Sequence, residues 1–497
     1  MRKLLPWILG AALAIPVVLP VAAPGAALAQ NACVTASPSP SPSPSPLLMP
    51  EDARLALFDQ VWGQINDNYL DPTFNGNDWN AIGDQYAPLF LQVEDAYEIY
   101  ALTSEMVSKL GDDEVRFIDP VYLENLPPAE QNYVGIGTLV DISSAEETGA
   151  GPHILYVFPG SGAEEANIQV RDQIVSVDGD PCVTIRAIRG PEGTTVKLGI
   201  LTPGQPVREV EVQRRRIDPT ITPISEEIGP DNSVGYLRLP SMEGQNTIDG
   251  VASVLAQFKT DGVKSLIIDV RSVALGGLGV TVAILAHLLD GDAGTFYSRA
   301  QTQPLTLPAS DLLATFKDMP IVVLTDKDSS GEPERLAAIL QSTGRAKVVG
   351  QETPGRTRVV QDVTLDDGSV LELVTASLQL PDGTKLERQG IKPDVAITDS
   401  WMDVSEANDP YILAALDLLS GSAAASPSPA PTASPAPTPS PSPSLSPSPA
   451  PSAAPSPSPT AAPSPSPSPS PSASPTADPS TAPTTTPVAT KRPHKHK

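Results

Sequence analysis

Two adjacent serines, Ser329 and Ser330, head a helix-forming stretch in residues 326–361, DKDSSGEPERLAAILQSTGRAKVVGQETPGRTRVVQ. A serine hydroxyl attacks a carbonyl only when a neighbour can take its proton. A buried lysine can serve, because desolvation lowers its pKa toward neutrality. Lys327 and Lys347 are nearby in sequence. Arg356 stays protonated and cannot act as a base. The plainer role of the serines is capping: Ser329 with Glu332 three residues later makes a capping box, and Pro333 suits a first turn. Ser330 is the second hydroxyl of the pair. Other constellations fail on supply. His153 and His287 are the histidines outside the tail, and His287 sits among Ile284, Leu285, Leu288 and Leu289, a packed helix position. A Ser-His-Asp reading would need it beside an elbow serine. These histidines and the two cysteines are too scattered for a zinc site, and there is no P-loop. No cofactor or metal is implied.

The same segment resembles the core motif of the S41 family, the C-terminal-processing or tail-specific serine peptidases. Glu334, Gly344-Arg345-Ala346, Gly350, Thr353 and Gly355 set the register without a gap. In that register the family's nucleophilic serine falls on Gly331 and its general-base lysine on Arg356, so by the resemblance Ser330, one residue before Gly331, is the one credible substitute nucleophile. The resemblance therefore implies the fold of a serine peptidase whose two reacting side chains are absent. It also implies an oxyanion role for the glycine pair after Asp269-Val270-Arg271, here Gly276 and Gly277 with one residue inserted, although a glycine-rich strand-to-helix turn is the simpler reading. Leu110 to Val115 resembles the family's LGDxHT, with Glu114 and Val115 in place of His and Thr.

The elements that must position these residues follow in order. Leu55, Phe58, Val61, Trp62, Ile65 and Tyr69 share one face of a helix over 51–70, and a second helix covers about 94–110. Together they resemble the S41 helical N-terminal region, taken as 51–127. Residues 128–216 resemble a PDZ domain. Tyr133-Val134-Gly135-Ile136-Gly137 matches the loop whose amides receive a peptide carboxylate. Between Gly179 and Ile188 only eight residues remain where the resemblance implies about fourteen. The lost length exceeds one and a half helical turns at about 3.6 residues per turn, so the helix walling the groove should be cut short. Over 217–400, strands at 234–239, 265–270, 321–325 and 347–350 alternate with helices near 244–258, 279–289 and 332–342. Hairpin-like strands follow at 360–365 and 370–380, and a final helix is expected over 401–420. The expected fold is α/β and multi-domain: a helical N-terminal region, a PDZ-like β domain, an S41 (ClpP/crotonase-like) α/β core and a disordered Ser/Pro-rich tail.

Residues 1–29 read as a secretory signal, with Arg2 and Lys3, an apolar run and Ala27-Leu28-Ala29 before the cut. Gln30-Asn31-Ala32 lacks the leucine of a lipobox ahead of Cys33. No other stretch is long and apolar enough to span a membrane. The expected location is secreted or cell envelope, extracytoplasmic, where Cys33 and Cys182 could pair. The plainer expectation is an exposed thiol at Cys33 and a small buried residue at Cys182. A Ser/Pro linker fills 30–50, and residues 421–497 are a Pro/Ser/Ala/Thr-rich tail ending in Lys491-Arg492-Pro493-His494-Lys495-His496-Lys497. The tail reads as an extended spacer whose basic end is either solubilising or in contact with anionic envelope polymers. Net charge is −26. Without Arg2, Lys3 and the tail residues, 26 basic (32 − 6) and 57 acidic (58 − 1) residues leave about −31 on the folded part. That charge argues against nucleic-acid binding and leaves a polypeptide as the expected partner. Three function classes stay open: a pseudopeptidase that binds polypeptides or their C-termini, an active endopeptidase using Ser330, and an envelope protein whose tail is the working part.

Overall fold

Leu57, Phe58, Val61 and Ile65 recur at helical spacing and bury one face of the helix Glu51–Asn68. The computed structural model describes residues 47–125, 133–141, 151–274 and 276–421. The signal segment, most of the first linker and the tail lie outside these. Helices Trp79–Gln92 and Ala96–Ser108 pack on the first, their starts capped by Asp78 and Asp95. Trp62 and Trp79 each donate an indole N–H to the other's carbonyl, at 3.0 and 3.1 Å. This apolar cluster continues into Leu371, Leu373 and Val374 of the strand Val370–Gln379. The helical region therefore shares its core with the hairpin sheet.

A five-stranded antiparallel sheet comes next. Its spatial order is Thr138–Asp141, His153–Val157, Gln173–Val177, Thr195–Leu201 and Arg208–Gln213. Tyr133–Gly135 pairs separately with Arg215–Ile217, a ribbon at the neck of this domain. The helix expected to be short is one turn, Ile185–Ile188.

The site rests on a six-stranded sheet ordered Val395–Ala396, Lys347–Gly350, Ile321–Thr325, Ser265–Asp269, Val234–Arg238 and Ile224–Ile228. Its first five strands are parallel. Ser265–Asp269 and Ile321–Thr325 are buried along their whole length, because helices cover both faces of such a sheet. Gly244–Asp261, Leu278–Leu288 and Glu332–Ser342 close one face through Leu255, Ile284, Leu336 and Ile339. Trp401, Tyr411 and Ile412 close the other. A second sheet is built on Val370–Gln379, which pairs with Val359–Thr364, Thr295–Ser298, Arg116–Ile118 and Lys385–Leu386.

Two expectations need correction. The antiparallel edge strand Ile224–Ile228 lies outside the expected strands, because its exposed Ser225-Glu226-Glu227 run breaks the apolar pattern. The helix expected over 401–420 is α-helical only over Pro410–Leu419; before it lie the short turns Trp401–Asp403 and Glu406–Asn408. Asp409 caps that helix with its carboxylate and Pro410 starts it.

Candidate functional site

The carboxyl ends of the parallel strands put Arg238, Asp269, Asp326 and Gly350 along one edge, where open α/β sheets hold their sites. From strand Ile321–Thr325 the chain turns through Asp326 to Gly331 and enters the helix Glu332–Ser342. Gly331 has φ +77 and ψ −114, a conformation open to glycine and strained for a side chain. Glu334 holds the turn. Its carboxylate accepts the N–H groups of Gly331 (3.0 Å), Gly355 (2.6 Å) and Arg356 (2.8 Å) and the Thr353 hydroxyl. Of the motif residues that set the sequence register, Thr353 and Gly355 thus meet at the buried Glu334 carboxylate.

Each serine has a definite place. Ser329 is fully buried; its hydroxyl bonds the Val270 carbonyl (3.0 Å) and Asp326 (2.9 Å), and accepts the Asp326 N–H. It is a loop brace, so the expected capping box on Ser329 and Glu332 is replaced by Gly331 with Glu334. Ser330 lies half-buried beside Ala274, its N–H bonded to Val273 O at 2.9 Å. Its hydroxyl has no hydrogen-bond partner among the described residues. Lys327 pairs with Asp328 and Lys347 with Asp394, each largely in solvent. Arg356 is also exposed and reaches Asp113 at 3.3 Å. None of these cations is held beside the serine by any of these bonds.

Of the two glycines expected at an oxyanion hole, Gly277 donates its N–H to the Met242 carbonyl at 2.8 Å, so that donor is taken. Gly276 has φ +150, and a Cβ there would meet the Cβ atoms of Glu332 and Met242 at 2.9 Å. Backbone and helix start approach so closely that only glycine fits.

The space between the two turns holds ion pairs. Buried Glu332 accepts Thr281 Oγ1 (2.6 Å) and pairs with Arg335, whose other nitrogen donates to Thr357 O (2.9 Å). Burial brings the Arg335 guanidinium down to about 10, still charged at neutral pH, and the nearby Glu114 carboxylate opposes that fall. Glu114 pairs with Arg358, which also grips Asp112 with two 2.7 Å bonds. Asp112 further accepts Tyr69 Oη (2.6 Å) and pairs with Arg388 (2.9 Å). Burial opposes ionisation of Asp112, yet the Arg358 and Tyr69 bonds outweigh it and hold the carboxyl at about 2. Burial pushes Glu114 up, with Arg358 opposing. Thr281, Glu332 and Arg335 form one buried polar group and Glu114, Arg358 and Asp112 another, close enough for the Glu114 charge to act on Arg335, whose Nε has no hydrogen-bond partner among the described residues. Sequence reading missed both. The Glu332 to Arg335 spacing of three on one helix was the only local signal.

His287 Nδ1 lies 2.5 Å from Ser310 Oγ, a contact no sequence pattern announced. Ser310 also takes the Leu312 N–H, and no carboxylate is bonded to the ring among the described residues, so the pair braces a loop.

In the five-stranded domain the expected Tyr133–Gly137 segment makes a tight turn. Ile136 O accepts Ala163 N–H (2.8 Å) and Gly137 O accepts Phe158 N–H (3.0 Å). The Ile136 and Gly137 amides have no partner among the described residues. Gly137 has φ +87, and a Cβ there would lie 2.1 Å from Ser161 Cβ. Thr138–Asp141, which follows the turn, is an edge strand. Cys182 corrects the expectation of a buried thiol: it is half-buried and disulfide-bonded, and the chain's one other cysteine, Cys33, lies outside the described residues. Among the described residues no helix is long and apolar enough to cross a membrane, and no acid, histidine or cysteine group could hold a metal.

Comparison with known proteins matches this architecture. The family model for peptidase family S41 fits residues 233–397, and that for the tricorn protease C1 domain fits residues 50–108. A carboxyl-terminal-processing protease of Synechocystis is 30% identical over 392 residues, 76% of this chain and 89% of the relative. Carboxyl-terminal-processing peptidase 2, chloroplastic, of Arabidopsis thaliana is 27% identical over 371 residues, 71% and 70% of the two chains. Among solved structures, a Bacteroides fragilis protein described as an S41 protease superposes with a TM-score of 0.52 at 18% identity, covering 73% of this chain and 97% of that one. At that identity the likeness speaks for the fold alone.

Proposed function

The chain belongs to peptidase family S41, and on that premise we propose that it is a pseudopeptidase, a member that binds polypeptides without hydrolysing them. One observation carries the reading: the turn that should present the nucleophile is occupied by Gly331, and among the described residues the neighbouring Ser330 hydroxyl has no base bonded to it. A nucleophile needs both a hydroxyl and a proton acceptor. Arg356 supplies no base, and its side chain is spent on Asp113 in solvent.

The five-stranded domain is read as PDZ-like. Its edge strand Thr138–Asp141 can accept an extended peptide, and the Ile136 and Gly137 amides can take the terminal carboxylate. The one-turn helix Ile185–Ile188 leaves one side of that groove low, which favours loose recognition of the last residues. The signal-like start and the Cys182 disulfide support an oxidising, extracytoplasmic location. The basic tail end is available for envelope polymers.

The test is casein hydrolysis by the purified mature chain and by its Ser330→Ala variant, with binding of a C-terminal peptide measured in parallel. The reading expects no cleavage by either and peptide binding that amidating the peptide's carboxylate weakens. Cleavage by the parent that vanishes in the variant would establish Ser330 as a displaced nucleophile and overturn it.

A further inference from the structure

Arg171 is a buried arginine with φ +75, a left-handed backbone that a side chain rarely adopts. It precedes the strand Gln173–Val177 of the five-stranded domain, yet among the described residues its guanidinium bonds nothing within that domain. It donates to the carbonyls of Trp401 and Val404, both at 3.1 Å, and to Asp409 Oδ2 at 2.8 Å. Its Cζ sits 5.1 Å from the Trp401 ring centroid. Arg271 and Arg238, from the central sheet, lie over the same indole at 4.5 and 4.8 Å. Asp409 is shared, since Arg271 bonds it at 2.8 Å while its Oδ1 caps the last helix. Trp401 Nε1 donates to Asp326 (3.0 Å), and Asp326 holds Ser329 in the turn before Gly331. Leu155, with Leu139 and Val170 beside it, packs into the apolar cluster of Trp401, Met402 and Tyr411.

We propose that Trp401–Leu419 is a latch and Arg171 its bolt, fixing the five-stranded domain in one orientation on the α/β core and tying that orientation to the Asp326–Gly331 turn. The strained backbone is the local signature. Glycine would sit there without strain, and what retains arginine is a carboxylate and an indole from a segment more than 200 residues away. A guanidinium removed from water is held only while those partners stay, so the domain and the C-terminal segment move together or not at all. The latch does not depend on whether the protein hydrolyses peptides.

The test is a distance measurement on the full mature chain with its disulfide kept oxidised. Spin labels go on Glu211→Cys in the domain and Lys259→Cys in the core, both exposed. The parent should give one narrow distance distribution. Arg171→Gly suits the backbone and removes the bolt; it should broaden the distribution and raise amide exchange at residues 401–404 at least tenfold. Asp409→Asn keeps a capping side chain and removes the charge, and should broaden it as well. Arg208→Ala deletes an arginine bonded, among the described residues, only to Ala166, Asn167 and Asp172 of its own domain, and should leave the distance unchanged. An unchanged distribution in folded Arg171→Gly overturns the latch, as does equal broadening by Arg208→Ala. Should Arg171→Gly fail to fold, an unchanged Asp409→Asn overturns it instead.

Discussion

Asp112→Asn is the perturbation that best isolates the buried group of Asp112, Arg358 and Glu114. The Asp112 side chain is fully buried and meets Arg358 through two 2.7 Å bonds, Tyr69 at 2.6 Å and Arg388 at 2.9 Å. Its carboxyl falls from 3.8 in the unfolded chain to about 2 in the fold. Burial works against ionisation, and the Arg358 and Tyr69 bonds overcome it. A depressed carboxyl stabilises above its unfolded value, and that stability drains away as pH drops through the folded one. The window is therefore pH 4 down to 2. At about 1.36 kcal/mol per pKa unit, the fall is worth roughly 2.4 kcal/mol at neutral pH. Asparagine keeps the shape but leaves Arg358 with Glu114 as its buried carboxylate, so the loss at pH 7 should be about 2–5 kcal/mol. Urea unfolding at pH 7, 4, 3 and 2 reads both quantities. The parent should lose stability across pH 4 to 2. The variant should start lower and lose roughly 2 kcal/mol less over that range. Asp269, also held near 2 by its arginines against the cost of burial, contributes an acid limb common to both proteins. A variant as stable as the parent at pH 7, or one with the same acid limb, refutes the reasoning.

Gly331→Ser with Arg356→Lys restores both family residues, yet casein should stay intact. A lysine at 356 sits in solvent beside Asp113 and keeps its proton, and a side chain at φ +77 should cost about 1–3 kcal/mol; casein cleavage by this double variant would refute the placing of residue 356 out of reach of the serine turn, while leaving Gly331 and Arg356 as the reason the parent is inactive. Gly276→Ala pushes a methyl to 2.9 Å from Glu332 and Met242, and should lower thermal stability by about 1–3 kcal/mol. Gly137→Ala crowds Ser161 and tilts the free amides, so C-terminal peptide affinity should fall at least tenfold by calorimetry, with the core's melting transition unchanged. Reducing the Cys182 disulfide should cost about 2–4 kcal/mol, read as a lower urea midpoint with dithiothreitol.

The sequence alone determined the register of the site. Local turn chemistry needs particular residues at particular spacings: Glu334, Thr353 and Gly355 stand where one carboxylate can tie two turns, and Gly331 and Arg356 lie in those same two turns. The parallel strands were legible as unbroken apolar runs, and the one-turn helix Ile185–Ile188 as missing residues. What the sequence hid is whatever depends on which side chains meet across long separations. Nothing beside Arg171 in the sequence announces its partners, which are Trp401 and Asp409. Ser310 meets His287, Gly277 spends its amide on Met242, and Arg358 binds Asp112 from 246 residues away. Periodicity and spacing report only a residue's near neighbours. Buried charge is settled by partners that only the folded chain brings within hydrogen-bond distance.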